Sequence, residues 1–450
     1  MQLAFSFIMF LLTLCLLQFW EFSSLGYSYI FCGTFIYILY SIWCAVGKKI
    51  TPGILFFAAF SFLFIGGRFW GVLLNSKMSL WAGYNFCSSG ILPTERTRLL
   101  SYVLAFVYSF YWGYGNKYLQ KNPYKCICCD SIIENQVKGK NVDWLLRLVW
   151  IVQAPMSIYN SVMGYLRVSS LGYLSLYAGA QNSEYEGGSS LVRTWTYCIF
   201  GMAMVYGKPM TKKMYVGLIL VTSVFGILAG GRGGFGATLL FCLWLYSRSH
   251  KLNIRKVLLW GICSLWALLY IFSFSVRNVE SGSEYGGPLE MVSSFFYDQG
   301  ISLAVFNSSM NLTYPIVPYL QSFIPGSAYL YHLFTGEILQ SYDIGFGNYL
   351  SHALNPALYA HGYGLGWTLL GSLYLFSGKI FIVFIALSFI SGKLLAWFEI
   401  KAEYNTTYQM LLFTIFMNLM MLPRAGLEYI FPLMIYALII KYVILKITSR

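Results

Sequence analysis

Apolar runs of about 15–22 residues recur along almost the whole of this 450-residue chain, each long enough to cross the hydrocarbon core of a bilayer. They lie near 2–20, 27–46, 53–73, 99–114, 143–163, 191–207, 214–230, 233–246, 257–275, 378–398, 407–422 and 427–446. Inside a bilayer the backbone must satisfy its own hydrogen bonds, so runs of this length read as helices. The expected fold is an all-α polytopic integral membrane protein with about 12 transmembrane helices. Composition agrees: 58% of residues are hydrophobic and only 10% are charged, an apolar content no soluble chain could keep from water. No stretch has a soluble-domain composition, so residues 1–450 read as a single integral membrane domain. Met1 leads straight into the first run without a basic n-region or a small-residue cleavage site, which reads as a retained span. Segment 363–377 is short and glycine-rich, and reads as either a partial thirteenth span or a re-entrant helix.

Lysine sets the orientation. Lys48 and Lys49, the group from Lys117 to Lys140, Lys208, Lys212 and Lys213, Lys251 and Lys256, Lys393 and Lys401, and Lys441 and Lys446 fall in alternate loops. The positive-inside rule makes those loops, including about 115–142, cytoplasmic, with both termini on that side. The opposite face then holds two sizeable loops, about 164–190 and 276–362. Arginine behaves differently: Arg68, Arg96, Arg98, Arg167, Arg193, Arg232, Arg277 and Arg424 all fall at or near the external face, against the rule. A planar guanidinium fork suits phosphate oxygens, and an external set of them suggests an anionic ligand. The net charge of +14 would point a soluble chain toward nucleic acid; here it fits orientation and an anionic lipid-linked substrate, with no nucleic-acid partner. The ten cysteines are scattered, and Cys126, Cys128 and Cys129 lack paired zinc spacing, so no metal or cofactor is expected.

The stretch LAGGRGGFGATLL sets Arg232 among glycines between two spans. A charge at membrane depth is costly unless it meets a partner, a cavity or a substrate. The flanking Gly231 and Gly233 remove side-chain bulk, so that backbone N–H groups can approach an anion. Arg424, in MLPRAGLEYIF, occupies a similar turn between the last two spans. Spans joined so briefly are antiparallel neighbours, which would hold both arginines at the membrane–water boundary. A single arginine there could simply snorkel to headgroups; two such turns favour a role in function. Arg277 opens the large loop and is a further candidate for binding substrate, whereas Arg68, in FIGGRFWG, could equally pair with a carboxylate inside the bundle.

The large loop carries the candidate acid and base groups: Asp298 in FFYDQGISLAVF, and His352 in NYLSHALNPALYAHGYGLG, with His361 nine residues on. Gln299, Asn355 and Tyr359 in the same segments are candidate substrate-binding side chains. External tyrosines such as Tyr173, Tyr177, Tyr319, Tyr329, Tyr331 and Tyr349 fit a sugar-facing surface or an interfacial aromatic belt. No GxSxG, HExxH, P-loop or dinucleotide-binding motif occurs in a credible context, which argues against nucleotide chemistry.

LAGGRGGFGATLL, FFYDQGISL, LSHALNPALYAHGYGLG followed by LYLFSG, and the closing LPRAG, in that order, resemble Wzy-type O-antigen polymerases of Gram-negative bacteria over most of the chain. The resemblance implies joining of undecaprenyl-diphosphate-linked oligosaccharide repeat units at the external, periplasmic face of the inner membrane. It also implies a separate flippase that exports the units and a partner that controls chain length. On that footing Arg232 and Arg424, with Arg277, would hold the diphosphate leaving group, and Asp298 or His352 would act as base on the acceptor hydroxyl. The chain departs from the pattern after GYGLG, where relatives often carry paired serines and a glutamate; here stand Trp367, Thr368, Gly371 and Ser372. Two rivals remain, an O-antigen ligase acting on a lipid A core and a lipid-linked oligosaccharide flippase or transporter. The latter predicts an internal repeat that the chain does not display.

Overall fold

The computed structural model describes residues 2–119, 140–172, 186–250, 254–273 and 287–448. Arg277, Tyr173, Tyr177 and the cysteine group at 126–129 lie outside the described residues. Among those described the chain is helical throughout, with no strand.

The first nine apolar runs correspond to α1 (Gln2–Phe19), α2 (Ser24–Ala45), a broken pair, α5 (Pro93–Leu119), α6 (Lys140–Leu171), α7 (Glu186–Tyr206), α8 (Pro209–Leu228), α9 (Arg232–Ser249) and α10 (Ile254–Ser273). The broken pair is α3 (Pro52–Ala58), running through a π turn at Ala59–Phe64 into α4 (Gly67–Leu74). Next comes a series of short helices: α11 (Pro288–Gln299), α12 (Ser302–Met310), α13 (Ile316–Gln321), α14 (Ser327–Thr335), α15 (Phe346–Leu354), α16 (Pro356–Ala360) and α17 (Leu369–Phe376). Three long helices close the chain: α18 (Phe381–Ala402), α19 (Thr406–Met421) and α20 (Phe431–Thr448). By length and apolarity Ser24–Ala45, Pro209–Leu228, Phe381–Ala402 and Leu427–Thr448 can each cross a membrane, and the bent pair makes a fifth. Large apolar side chains such as Leu259, Ile262 and Ile382 also point outward, as they do on helices that face lipid.

Glycine decides where helices come closest. A Cβ on Gly392 of α18 would strike the Phe110 carbonyl of α5, and one on Gly113 of α5 the Phe389 carbonyl of α18, so this pair packs backbone to backbone. The third apolar run, expected as one span, bends by 49° between Pro52–Phe64 and Gly67–Leu74. The π turn supplies the break, with Gly66 pressed on the Ser61 carbonyl and the Trp70 indole N–H donating to that carbonyl at 3.0 Å.

Part of the segment expected as a large external loop is instead core. Every residue of α12 is buried, and α11 crosses α4 at close range. That crossing uses a small-xxx-small spacing, Gly67 and Gly71, set against Phe296 and Tyr297 of α11, with Gly300 lying on the backbone of Arg68. Hydropathy misses these helices because they bury polar groups, including Ser302, Asn307, Ser308 and Ser309. Segment 363–377 contributes only the eight-residue α17, about 12 Å long and too short to span a bilayer.

Arg68 is also accounted for. Buried at 3% exposure, it donates to the carbonyls of Ala82 (2.7 Å) and Leu80 (3.4 Å) and lies 4.0 Å over the Tyr297 ring, fastening the 75–92 loop and α11 to α4. Because α11 seats on α4 through bare glycine, Gly71→Leu should cost at least about 1–3 kcal/mol by overpacking. Thermal unfolding in detergent checks this, with Gly217→Ala, whose Cβ meets nothing, expected to behave as wild type.

Candidate functional site

A cavity of about 1320 Å³ opens between α6, α7, α19 and α20, under α15 and the loops that follow α13 and α16. Its lower part is an apolar trough. Leu148, Val149, Val152 and Met156 line it from one face of α6, and Pro432, Leu433, Tyr436 and Ile440 from one face of α20. Each set spans nine residues, about 12 Å of helix from first to last. The upper part is polar, with Arg193 and Thr194 of α7, Asn418 of α19, Arg424 and Glu428 of the last turn, and Gln321, Asn348 and Ser351 from the loop series. Arg193, Arg424 and Glu428 are the charged residues in the lining. A cavity polar at one end and apolar along a helix-lined trough suits an amphipathic ligand.

The polar cover is built by the segment NYLSHALNPALYAHGYGLG. Ser351 Oγ accepts the Leu365 backbone N–H at 3.0 Å, Gly347 lies where a Cβ would meet Gly366, and Phe346 stacks on Trp367 with ring centroids 5.0 Å apart. Gly366 takes a positive φ of 73°, so the turn into Trp367 favours glycine. The departures after GYGLG also interlock. The Trp367 indole donates to Ser372 Oγ at 2.9 Å, Thr368 caps α17 by accepting the Gly371 N–H at 3.0 Å, and Gly371 lets Trp367 lie against the helix.

Arg232 and Arg424 converge on a single helix. Arg424 lies in the 3₁₀ turn Leu422–Arg424, and its Nη1 donates to the Gln299 side-chain oxygen at 3.1 Å. Arg232 opens α9, and its guanidinium lies 5.8 Å over the Phe295 ring. Phe295 and Gln299 are one helical turn apart on α11, about 6 Å along its axis. The turns also touch: a Cβ on Gly233 would meet the Met421 side chain just before Arg424. Arg424 lines the cavity, whereas from α9 only Gly234 and Ala237, just beyond Arg232, do so. Gly231 precedes α9 as its N-cap, its N–H bonded to the Gly226 carbonyl at 2.8 Å.

The remaining candidates are dispersed. Asp298 is exposed and acts electrostatically on Arg68 rather than lining the cavity. His352 stacks flat on Tyr342 at 3.8 Å, with Tyr359 edge-on to it at 5.6 Å, outside the lining. Asn355 is the N-cap of α16, accepting the Leu358 N–H at 3.0 Å. Gln299 meets Arg424. Among the described residues no three His, Cys, Asp or Glu side chains gather as a metal site. Sequence reasoning passed over Glu428, Gln153 and Asn348 as site residues. Glu428 had one available signal, its place four residues after Arg424 in the same turn.

A protein-family model described as O-antigen polysaccharide polymerase Wzy matches residues 1–450, the whole chain. No curated protein and no solved structure matches.

Proposed function

The chain belongs to the O-antigen polysaccharide polymerase Wzy family, and from that premise we propose that it polymerises undecaprenyl-diphosphate-linked repeat units at the periplasmic face of the inner membrane. Residues 1–450 form one integral domain of about 12 spans with both termini cytoplasmic. A separate flippase delivers the repeat units, and a chain-length regulator sets how far polymerisation runs.

The observation that carries this reading is the two-part cavity. Its apolar trough takes the first isoprene units of the polyprenyl chain, and its polar end takes the diphosphate and the sugars. Arg424, oriented by Gln299, binds the diphosphate and stabilises the charge that develops as it departs. Arg193 adds a second guanidinium facing the same space. Arg232, over Phe295 one α11 turn from Gln299 and just ahead of the lining residues Gly234 and Ala237, reinforces the positive field there. The acceptor hydroxyl attacks the donor's anomeric carbon, and cleavage of the sugar–diphosphate bond supplies the energy without any nucleotide.

Purified protein given its lipid-linked repeat unit, with no nucleotide present, should produce a ladder of polymer lengths. A single transfer product with no ladder would overturn the polymerase reading.

A further inference from the structure

Glu428 brings a carboxylate into the same cavity as Arg424. Its Oε2 is buried and has no hydrogen-bond partner among the described residues. Gln153, on the face of α6 that lines the trough, is 3% exposed, and both its Nε2 and Oε1 lack partners there. Buried polar groups are nearly always hydrogen-bonded, and a carboxylate oxygen left unmet is costly for a fold to retain. A polyhydroxylated ligand would satisfy both as the Glu428 carboxylate, folded back on Gly426 of its own turn, and the Gln153 amide swing into the cavity that their residues line. Sugar hydroxyls donate to the carboxylate and to Oε1, and their oxygens accept from Nε2.

We propose that Glu428 is the catalytic base that takes the proton from the attacking acceptor hydroxyl, with Gln153 helping to seat the acceptor sugar. The inference rests on the polymerase reading above and adds to it the group that activates the acceptor. In the step, the acceptor oxygen bonds to the donor's anomeric carbon while its proton passes to Glu428 Oε2. The anomeric C–O bond to the diphosphate breaks, and its electron pair leaves on the diphosphate oxygen held by Arg424. The proton then passes to the departing diphosphate or to water, restoring the carboxylate. Asp298 and His352 lie outside the cavity lining, whereas Glu428 is the carboxylate within it.

Two variants test the assignment. Glu428→Gln keeps size and polarity but cannot take the proton. Gly426→Ala leaves the carboxylate in place chemically but moves it, because an added Cβ at 426 would sit against the Glu428 carboxylate. Gly426 has φ −96° and ψ 171°, extended backbone that alanine adopts freely. With the purified full-length protein and lipid-linked repeat unit, Glu428→Gln should polymerise ~10²–10⁴-fold more slowly than wild type. Gly426→Ala should fall between the two. Both should still bind undecaprenyl diphosphate as wild type does, followed by quenching of the cavity tryptophans Trp195 and Trp367. Wild-type rates in Glu428→Gln would overturn the assignment, and so would loss of undecaprenyl diphosphate binding together with activity, which would make Glu428 a structural support. If wild type itself made no polymer, the underlying polymerase reading would fall, and that result is distinct from either of the others.

Discussion

Arg424→Ala should reduce a cell lacking its own polymerase, complemented with the variant, to a lipopolysaccharide core bearing a single repeat unit. The guanidinium is the cation of the last turn that faces the cavity, and it has a fixed orientation, Nη1 held on the Gln299 oxygen at 3.1 Å. A preorganised cation aimed at a leaving diphosphate stabilises the transition state more than the ground state. Losing one such contact costs about 10²–10³ in rate, or roughly 3–4 kcal/mol. Arg424→Lys tests what kind of contact it is. Lysine keeps the charge but loses the fork and the bond to Gln299, so most of the loss should remain. Gln299→Ala leaves the guanidinium free to turn, and a smaller loss should follow. Silver-stained lipopolysaccharide, with immunoblotting to show the protein inserted, reads all three variants. Polymer of normal length from Arg424→Ala would remove the diphosphate from this site. Bare core from any variant would indicate ligase rather than polymerase chemistry.

The long helices were legible because their signal is additive: fifteen or more apolar residues in a row leave hydropathy little ambiguity. Helices α11 and α12 were not, since they are short and bury serine and asparagine, which hydropathy counts as loop. Their placement depends on contacts distant in sequence, the Gly67 and Gly71 backbone above all, and a lone small-xxx-small spacing does not name its partner. The arginine turns could be read because a charge beside a span is rare enough to stand out. Which carboxylate faces them could not. Asp298 and Glu428 each sit in a quoted motif, and only packing separates the exposed one from the one lining the cavity. The part His352 plays is equally closed to sequence reading. His352 is held against Tyr342 and Tyr359, and a residue that orders a loop by stacking looks, in sequence, like one that moves a proton.

Arg232→Ala should also abolish polymer, and comparison with Phe295→Ala separates two reasons for it. The guanidinium lies 5.8 Å from the Phe295 ring centre, a cation–π contact worth about 0.5–1 kcal/mol, or roughly a few-fold in any equilibrium it supports. If packing were its whole contribution, Arg232→Ala and Phe295→Ala would have similar, small effects, and the double variant would be no worse than either single one. If the charge reaches the diphosphate, Arg232→Ala costs about 10² or more in rate while Phe295→Ala costs only a few-fold. The second outcome is expected. The residue opens α9, where backbone N–H groups and the helix dipole already favour an anion, and its turn touches the one that carries Arg424 through Gly233 and Met421. Arg232→Lys should recover part of the activity, because a field acting from beside the cavity needs charge more than it needs a fork. Polymerisation rates of the purified variants, measured at two salt concentrations, give the last check. A long-range contribution weakens as ionic strength rises, and the ratio of wild type to Arg232→Ala should shrink with it.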